Sequence, residues 1–133
     1  MKKLKVALVL FRDENGNVLL NHRYDHQQEV EDVWEIVGGG IEENELPINT
    51  IKREIKEELG YEIDDEKDCL KFIDDFEEAY LFTAKFPGFE NFSGSDEVKI
   101  SDLKLFSVKD AMSLNLLPVA RKILEMENES FGK

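Results

Sequence analysis

Hydrophobic and polar positions alternate in two different rhythms along this chain. Lys5 to Phe11 and Val18 to Asn21 are short, largely apolar runs on either side of Asp13-Glu14-Asn15-Gly16-Asn17, and an Asn-Gly centre is the strongest short hairpin signal. The chain is therefore predicted to open with a β-hairpin. Trp34 to Val37 predicts another brief strand, ending in Gly38, Gly39 and Gly40, which free the backbone for a tight, unusual loop. The rhythm then changes. Ile48, Ile51, Ile55 and Leu59 recur at helical spacing, Pro47 suits a first turn and Gly60 is a natural stop, so a helix is predicted over 47–59. Leu70 to Phe76 and Ala79 to Phe86 mix apolar, aromatic and acidic residues and predict two strands, with Pro87 to Asp96 a loop after them. Leu103 to Val108 predicts a last strand. Leu117 to Glu127, opened by Pro118 and carrying Val119, Ile123 and Met126 on one side, predicts a closing helix. This order implies an α+β (mixed α/β) fold with helices packed on a sheet.

Composition narrows the setting. A chain of 133 residues fits a single domain, 1–133, and 41% hydrophobic with 35% charged residues is the balance of a soluble globular protein. The basic start, Lys2, Lys3 and Lys5, leads into an apolar stretch too short for a signal peptide and lacking a small-residue cleavage site. No apolar run approaches the ~18 residues of a membrane span. With one cysteine, Cys69, an intramolecular disulfide is excluded, and a reducing, cytoplasmic location is the simplest expectation. A formal charge of -13 repels polyphosphate backbones, which argues against long nucleic acid as a partner. A small anionic substrate remains compatible if divalent cations lie between it and the protein. Oligomeric state leaves no mark in the sequence, and a homodimer is compatible with it.

The candidate chemistry sits on the first helix. On a wheel at ~100° per residue, Glu54, Glu57 and Glu58 fall within roughly one third of the circumference, beside the apolar sector. Like charges at i,i+3 and i,i+4 each cost an isolated helix ~0.2–0.5 kcal/mol. A bound cation would reverse that sign. The donors are all carboxylate oxygens, which suits Mg²⁺, with Mn²⁺ also possible, rather than zinc; His22 and His26 lie past a strand end, where their spacing does not align them. A solvated acidic face is the plain alternative.

The flanking residues weigh against that alternative. Gly39 is followed after five residues by Glu45 and after seven more by Arg53-Glu54-Ile55-Lys56-Glu57-Glu58-Leu59-Gly60-Tyr61. This spacing resembles the Nudix box, with every fixed Gly, Glu and Arg-Glu in place; a chance match of eight positions is on the order of 10⁻⁹ per start point. Two departures are mild. Tyr61 stands where the family usually has an aliphatic residue, and Val37 where a proline often precedes the glycines. Outside residues 39–61 the likeness is looser.

The resemblance implies a Nudix-type α/β/α sandwich with a mixed β-sheet and a catalytic loop-helix. It implies an enzyme that hydrolyses the diphosphate linkage of a nucleoside diphosphate derivative with Mg²⁺ held by Glu54, Glu57 and Glu58. Arg53 and Glu45 would form an ion pair that orients the helix, and Gly38, Gly39 and Gly40 would let backbone approach metal or phosphate. For the general base, a glutamate of the box or Glu97 in the later loop is implied. Arg23 is a candidate phosphate clamp, since guanidinium binds phosphate in a bidentate fashion, and Trp34 and Tyr80 are candidates for stacking on a nucleobase, with a core role as the alternative for each. Where ADP-ribose hydrolases and dinucleotide hydrolases tend to carry a proline or a tyrosine, this chain has Asp75, Phe76, Glu77 and Glu78. The short chain looks more like a nucleoside triphosphate pyrophosphatase, a group marked by an asparagine near the last helix, for which Asn115 is close. ADP-ribose, dinucleotide or nucleotide-sugar hydrolysis, and a nucleotide-sensing module without catalysis, are the alternatives.

Overall fold

In the computed structural model, residues 4–23, 32–64, 67–73, 77–96 and 98–131 are described. Strand β1 (Leu4–Arg12) is apolar on both faces because both are covered. Ala7, Val9 and Phe11 enter one core with Ile51, Ile55 and Leu59 of helix α1 (Pro47–Leu59). Leu8 and Leu10 enter a second core with Ala120, Ile123 and Leu124 of helix α3 (Pro118–Phe131). The result is helix, sheet, helix, as the resemblance implied.

The other strands are β2 (Val18–Arg23), β3 (Val33–Glu35), β4 (Gly38–Gly40), β5 (Lys67–Ile73), β6 (Glu77–Lys85) and β7 (Leu103–Phe106). They form a mixed seven-stranded sheet in the order β3-β2-β1-β6-β5, with β4 also on β1 and β7 also on β2. β1 runs parallel to β6 from Leu4↔Glu77 to Arg12↔Lys85, whereas the other pairings between these strands are antiparallel among the described residues, and Trp34 makes an isolated parallel bridge to Leu116.

The opening hairpin forms as predicted, its turn tied by Asp13, whose Oδ1 accepts from Asn17 N at 2.8 Å and Asn15 N at 2.9 Å. Its two strands meet in register only at Arg12↔Val18. Further back, β1 pairs instead with β4, Ala7↔Gly39 and Leu8↔Gly38, and Val9 N donates to Val37 O at 2.9 Å. The glycine run, expected as a loop, is thus a strand wedged beside β1. Glycine is depleted in strands for want of side-chain packing, but here close backbone approach decides. At Gly38, φ is +149° and a Cβ would lie 2.1 Å from Ala7 O, so no other residue fits without a shift of the backbone.

Further details differ from expectation, and residues 74–76 of the strand read over Leu70 to Phe76 lie outside the described residues. The strand read over Trp34 to Val37 is β3, and Ile36 and Val37 step from it into β4. Val108 opens a short helix, α2 (Val108–Ala111), capped by Ser107 Oγ accepting from Asp110 N at 3.1 Å. In α3 the buried seam is Ala120, Ile123 and Leu124, while Met126 is 45% exposed. Helix α1 matches its predicted span, Gly60 closing it with its N–H on Lys56 O at 3.0 Å.

Candidate functional site

Arg53 is the hub of the loop-helix unit. Its Nε donates to Glu45 Oε2 at 2.8 Å and its Nη2 to Glu45 Oε1 at 2.9 Å, a bidentate contact between the two residues for which the resemblance implied an ion pair. Nη2 also reaches Gly40 O at 3.2 Å, and Nη1 donates to Glu54 Oε1 at 2.8 Å. One guanidinium therefore joins the loop, β4 and α1. Glu45 Oε1 accepts further bonds from Thr50 Oγ1 at 2.6 Å and from Glu42 N at 3.1 Å. Hydrogen bonds from Arg53 first, then from Thr50 and the Glu42 backbone, hold the Glu45 carboxyl down at about 2, and the bond to Glu45 raises Arg53 in turn. Thr50, fully buried, is a member of this network that sequence reasoning missed. A threonine inside a helix, five residues past the motif's first glutamate, was the available signal.

The three helix glutamates differ in setting. Glu58 is 9% exposed, Glu54 is half-buried against β4, and the Glu57 side chain is 62% exposed. A Cβ on Gly39 would lie 2.4 Å from the Glu54 carboxyl carbon, so the motif glycine is the space in which that carboxylate lies. As donors for the divalent ion that the resemblance implies, the set fits in chemistry: three oxygen ligands on adjacent turns beside exposed backbone. The convergence is partial. Glu54 is bonded to Arg53, whose Nη1 also lies 3.6 Å from Glu57 Oε2, and among the described residues no group of three or more His, Cys, Asp or Glu is gathered for a metal. Glu97 and His26 lie outside the described residues.

Where β1 leaves β2, a cavity of about 540 Å³ opens. Glu58 and Gly38–Gly40 line it, together with a polar wall of Asn21, Arg23 and Glu35 and an apolar one that includes Leu8, Ile36, Leu117 and Val119. Arg23 is thus brought to the site. Its Nη1 lies 3.5 Å from Glu35 Oε2, and Glu35 Oε1 accepts from Asn21 Nδ2 at 3.1 Å. Burial pushes the Glu35 carboxyl up, against the opposing pull of Asn21 and Arg23. Neither Asn21 nor Glu35 was singled out in the sequence, where a polar residue at a strand end carries no signal of its own.

Two expected stacking residues are placed elsewhere. Trp34 stacks on His22 with centroids 4.6 Å apart and meets Phe106 edge-on at 5.0 Å, and it is not among the residues lining the cavity. His22 Nε2 lies 3.5 Å from Asp32 Oδ1. Tyr80 packs at the edge of the α1-side core and donates its hydroxyl to Glu78 at 2.7 Å. Asn115 donates its amide to Asp32 O at 2.8 Å, away from the cavity, whose nearest lining residue on that segment is Leu117. None of the described helices is long and apolar enough to cross a membrane.

Known proteins share this architecture. A family model described as NUDIX domain matches residues 1–126. An 8-oxo-dGTP diphosphatase of Proteus vulgaris is 34% identical over 62 residues, 47% of this chain and 54% of that protein, so the chain spans about half the length of this curated relative. Among solved structures, one from a study of MutT from Aliivibrio salmonicida and Vibrio cholerae aligns with a TM-score of 0.76 at 17% identity, over 98% of this chain and 100% of that one. The MutT protein of Methanosarcina mazei Go1 aligns with a TM-score of 0.73 at 20% identity, over 100% and 99%. At such identities these likenesses speak for the fold.

Proposed function

The chain belongs to the Nudix family, and from that premise we propose that it is a nucleoside triphosphate pyrophosphatase, cleaving the diphosphate bridge to release a nucleoside monophosphate and pyrophosphate. The observation that carries this reading is Glu58, a buried carboxylate of the intact motif, lining a cavity of about 540 Å³ together with Gly38–Gly40 and Arg23. A volume of that size suits a nucleotide. The partial match to an 8-oxo-dGTP diphosphatase supports the same substrate class.

Glu54, Glu57 and Glu58 would hold the divalent cation, Mg²⁺ or Mn²⁺. When bound, that ion supplies positive charge that offsets the diphosphate oxygens and favours ionisation of the attacking water. The protein's own contribution is placement. Arg53, fixed by both oxygens of Glu45, sets the angle of α1 against β4, so that the Glu54 carboxylate lies over Gly39. Arg23 offers a guanidinium at the cavity wall for a phosphate oxygen. Glu97 is the proposed acceptor of the water proton; its chain neighbour Val98 lines the cavity. The apolar wall excludes water from the base and sugar.

A sensing module that binds nucleotide without cleaving it is the second reading, favoured by the engagement of Glu54 with Arg53 and the partial convergence of the carboxylates. Release of phosphate and pyrophosphate from nucleoside triphosphates, oxidised nucleotides, ADP-ribose, dinucleotides and nucleotide sugars, with Mg²⁺, Mn²⁺ or chelator, separates the two. Metal-dependent pyrophosphate release from a triphosphate is expected. Nucleotide binding without turnover across the panel would replace the enzyme with the sensor, and cleavage of ADP-ribose, dinucleotides or sugars alone would replace the substrate class.

A further inference from the structure

We infer that Tyr61 is a positioning residue: with Phe92 and Ser93 it fastens the segment after β6 to the end of helix α1, so that Val98 and Glu58 hold a fixed relation in the lining of the cavity before a ligand arrives. This rests on the reading that a nucleotide occupies the cavity. Tyr61 is one of the two positions at which this chain leaves the family's motif, standing where an aliphatic residue is usual.

Three aromatic rings meet edge-on beyond the last turn of α1. Ring centroids of Tyr61 and Phe92 lie 5.5 Å apart, those of Phe11 and Phe92 5.6 Å, and those of Phe11 and Tyr61 6.2 Å. Such pairs stabilise beyond the area they bury, through a contact that depends on angle as well as distance. Phe11 is fully buried in β1, so the three rings tie the Phe92 segment to the sheet and to the helix end together. An aliphatic side chain at position 61 would keep some burial but lose both of its ring contacts.

Hydrogen bonds continue the fastening. The last turn of a helix leaves carbonyl groups without a partner inside the helix. Here Leu59 O accepts from Ser93 N at 2.7 Å, and Ser93 Oγ lies 3.5 Å from the same oxygen. A Cβ on Gly60 would lie 2.0 Å from Ser93 Oγ, so the glycine that closes the helix is also the space in which the serine hydroxyl sits. Further on, Ser95 N donates to Val98 O at 2.8 Å and Val98 N to Ser95 Oγ at 3.0 Å. Val98, 5% exposed, packs in one core with Phe92 and lines the cavity with Glu58, the residue before Leu59. A wall ordered in advance spares the ligand the cost of ordering it.

Backbone hydrogen exchange of the full chain, beside calorimetric binding of guanosine, adenosine, cytidine and uridine monophosphates, tests this. In Tyr61→Leu the Ser93 and Val98 amides should exchange at least about tenfold faster than in the wild-type chain, while Val9, bonded to Val37 O, keeps its rate. Affinity for whichever monophosphate the wild-type chain binds most tightly should fall about tenfold, as the ordered wall becomes less populated. Tyr61→Phe, which keeps the ring, should restore both. Unchanged exchange at Ser93 and Val98, exchange raised equally at Val9, or equal affinities in Tyr61→Leu and the wild-type chain would overturn the inference. Binding of no monophosphate by the wild-type chain would overturn the nucleotide reading, and with it the positioning role, even where local loosening in Tyr61→Leu showed the fastening itself.

Discussion

Gly38 and Gly39 are adjacent, yet a methyl group on each would meet different things. On Gly39 it would press on the Glu54 carboxylate, the far end of a flexible side chain, whereas on Gly38 it would meet the backbone of Ala7 at a φ of +149°. Gly39→Ala should therefore displace a proposed ligand and lower turnover about a hundredfold, the usual effect of a misplacement near 1 Å, with little change in the urea midpoint. Gly38→Ala should instead destabilise the fold by about 1–3 kcal/mol, seen as a lower urea midpoint. At the carboxylates themselves, Glu57→Gln and Glu58→Gln are each expected to reduce turnover at least about a hundredfold while circular dichroism stays that of the wild type. Undiminished activity in either variant would remove that residue from the metal assignment.

Helix α1 has no side-chain cap at Leu46 and no acidic residue in its first turn, so its anchoring comes from the Glu45–Thr50–Arg53 network instead. Because the Glu45 carboxyl is held at about 2 in the folded chain against an ordinary 4.5, the folded state prefers it ionised. The associated stability is present above about pH 4.5 and is lost as pH falls toward 2. Urea midpoints across this window should fall less steeply in Glu45→Gln than in the wild-type chain; identical slopes would show that Glu45 is not the group involved. The span of α1 was legible in the sequence because its signals are local: Pro47 at the first turn, four aliphatic residues at helical spacing, Gly60 at the end. The strand character of Gly38–Gly40 was not, since it depends on β1 lying alongside.

For the whole molecule, ligand binding and stability are linked through the cavity between the parted ends of β1 and β2. An ion held only by the folded chain must add to its stability, by roughly 2.7 kcal/mol at a hundred times its dissociation constant. Millimolar Mg²⁺ is therefore expected to raise Tm by several degrees, chelator to reverse the rise, and Glu58→Gln to abolish most of it. A melting temperature indifferent to Mg²⁺ would argue against the metal set whatever the activity showed.

The sequence by itself determined the family motif, the hairpin turn, the helix that carries the glutamates and the layered fold class, because each rests on residues close together in the chain or on a fixed spacing. Tertiary structure decided the rest. That Glu58 is buried and Glu57 exposed depends on where α1 meets the sheet, not on the helix period that placed both on one face. That Trp34 serves His22 and Phe106 while Asn21 and Glu35 line the cavity depends on which face of β2 and β3 turns toward the site. Strand alternation assigns residues to two faces, and only packing against the helices says which face is the inside of a binding site.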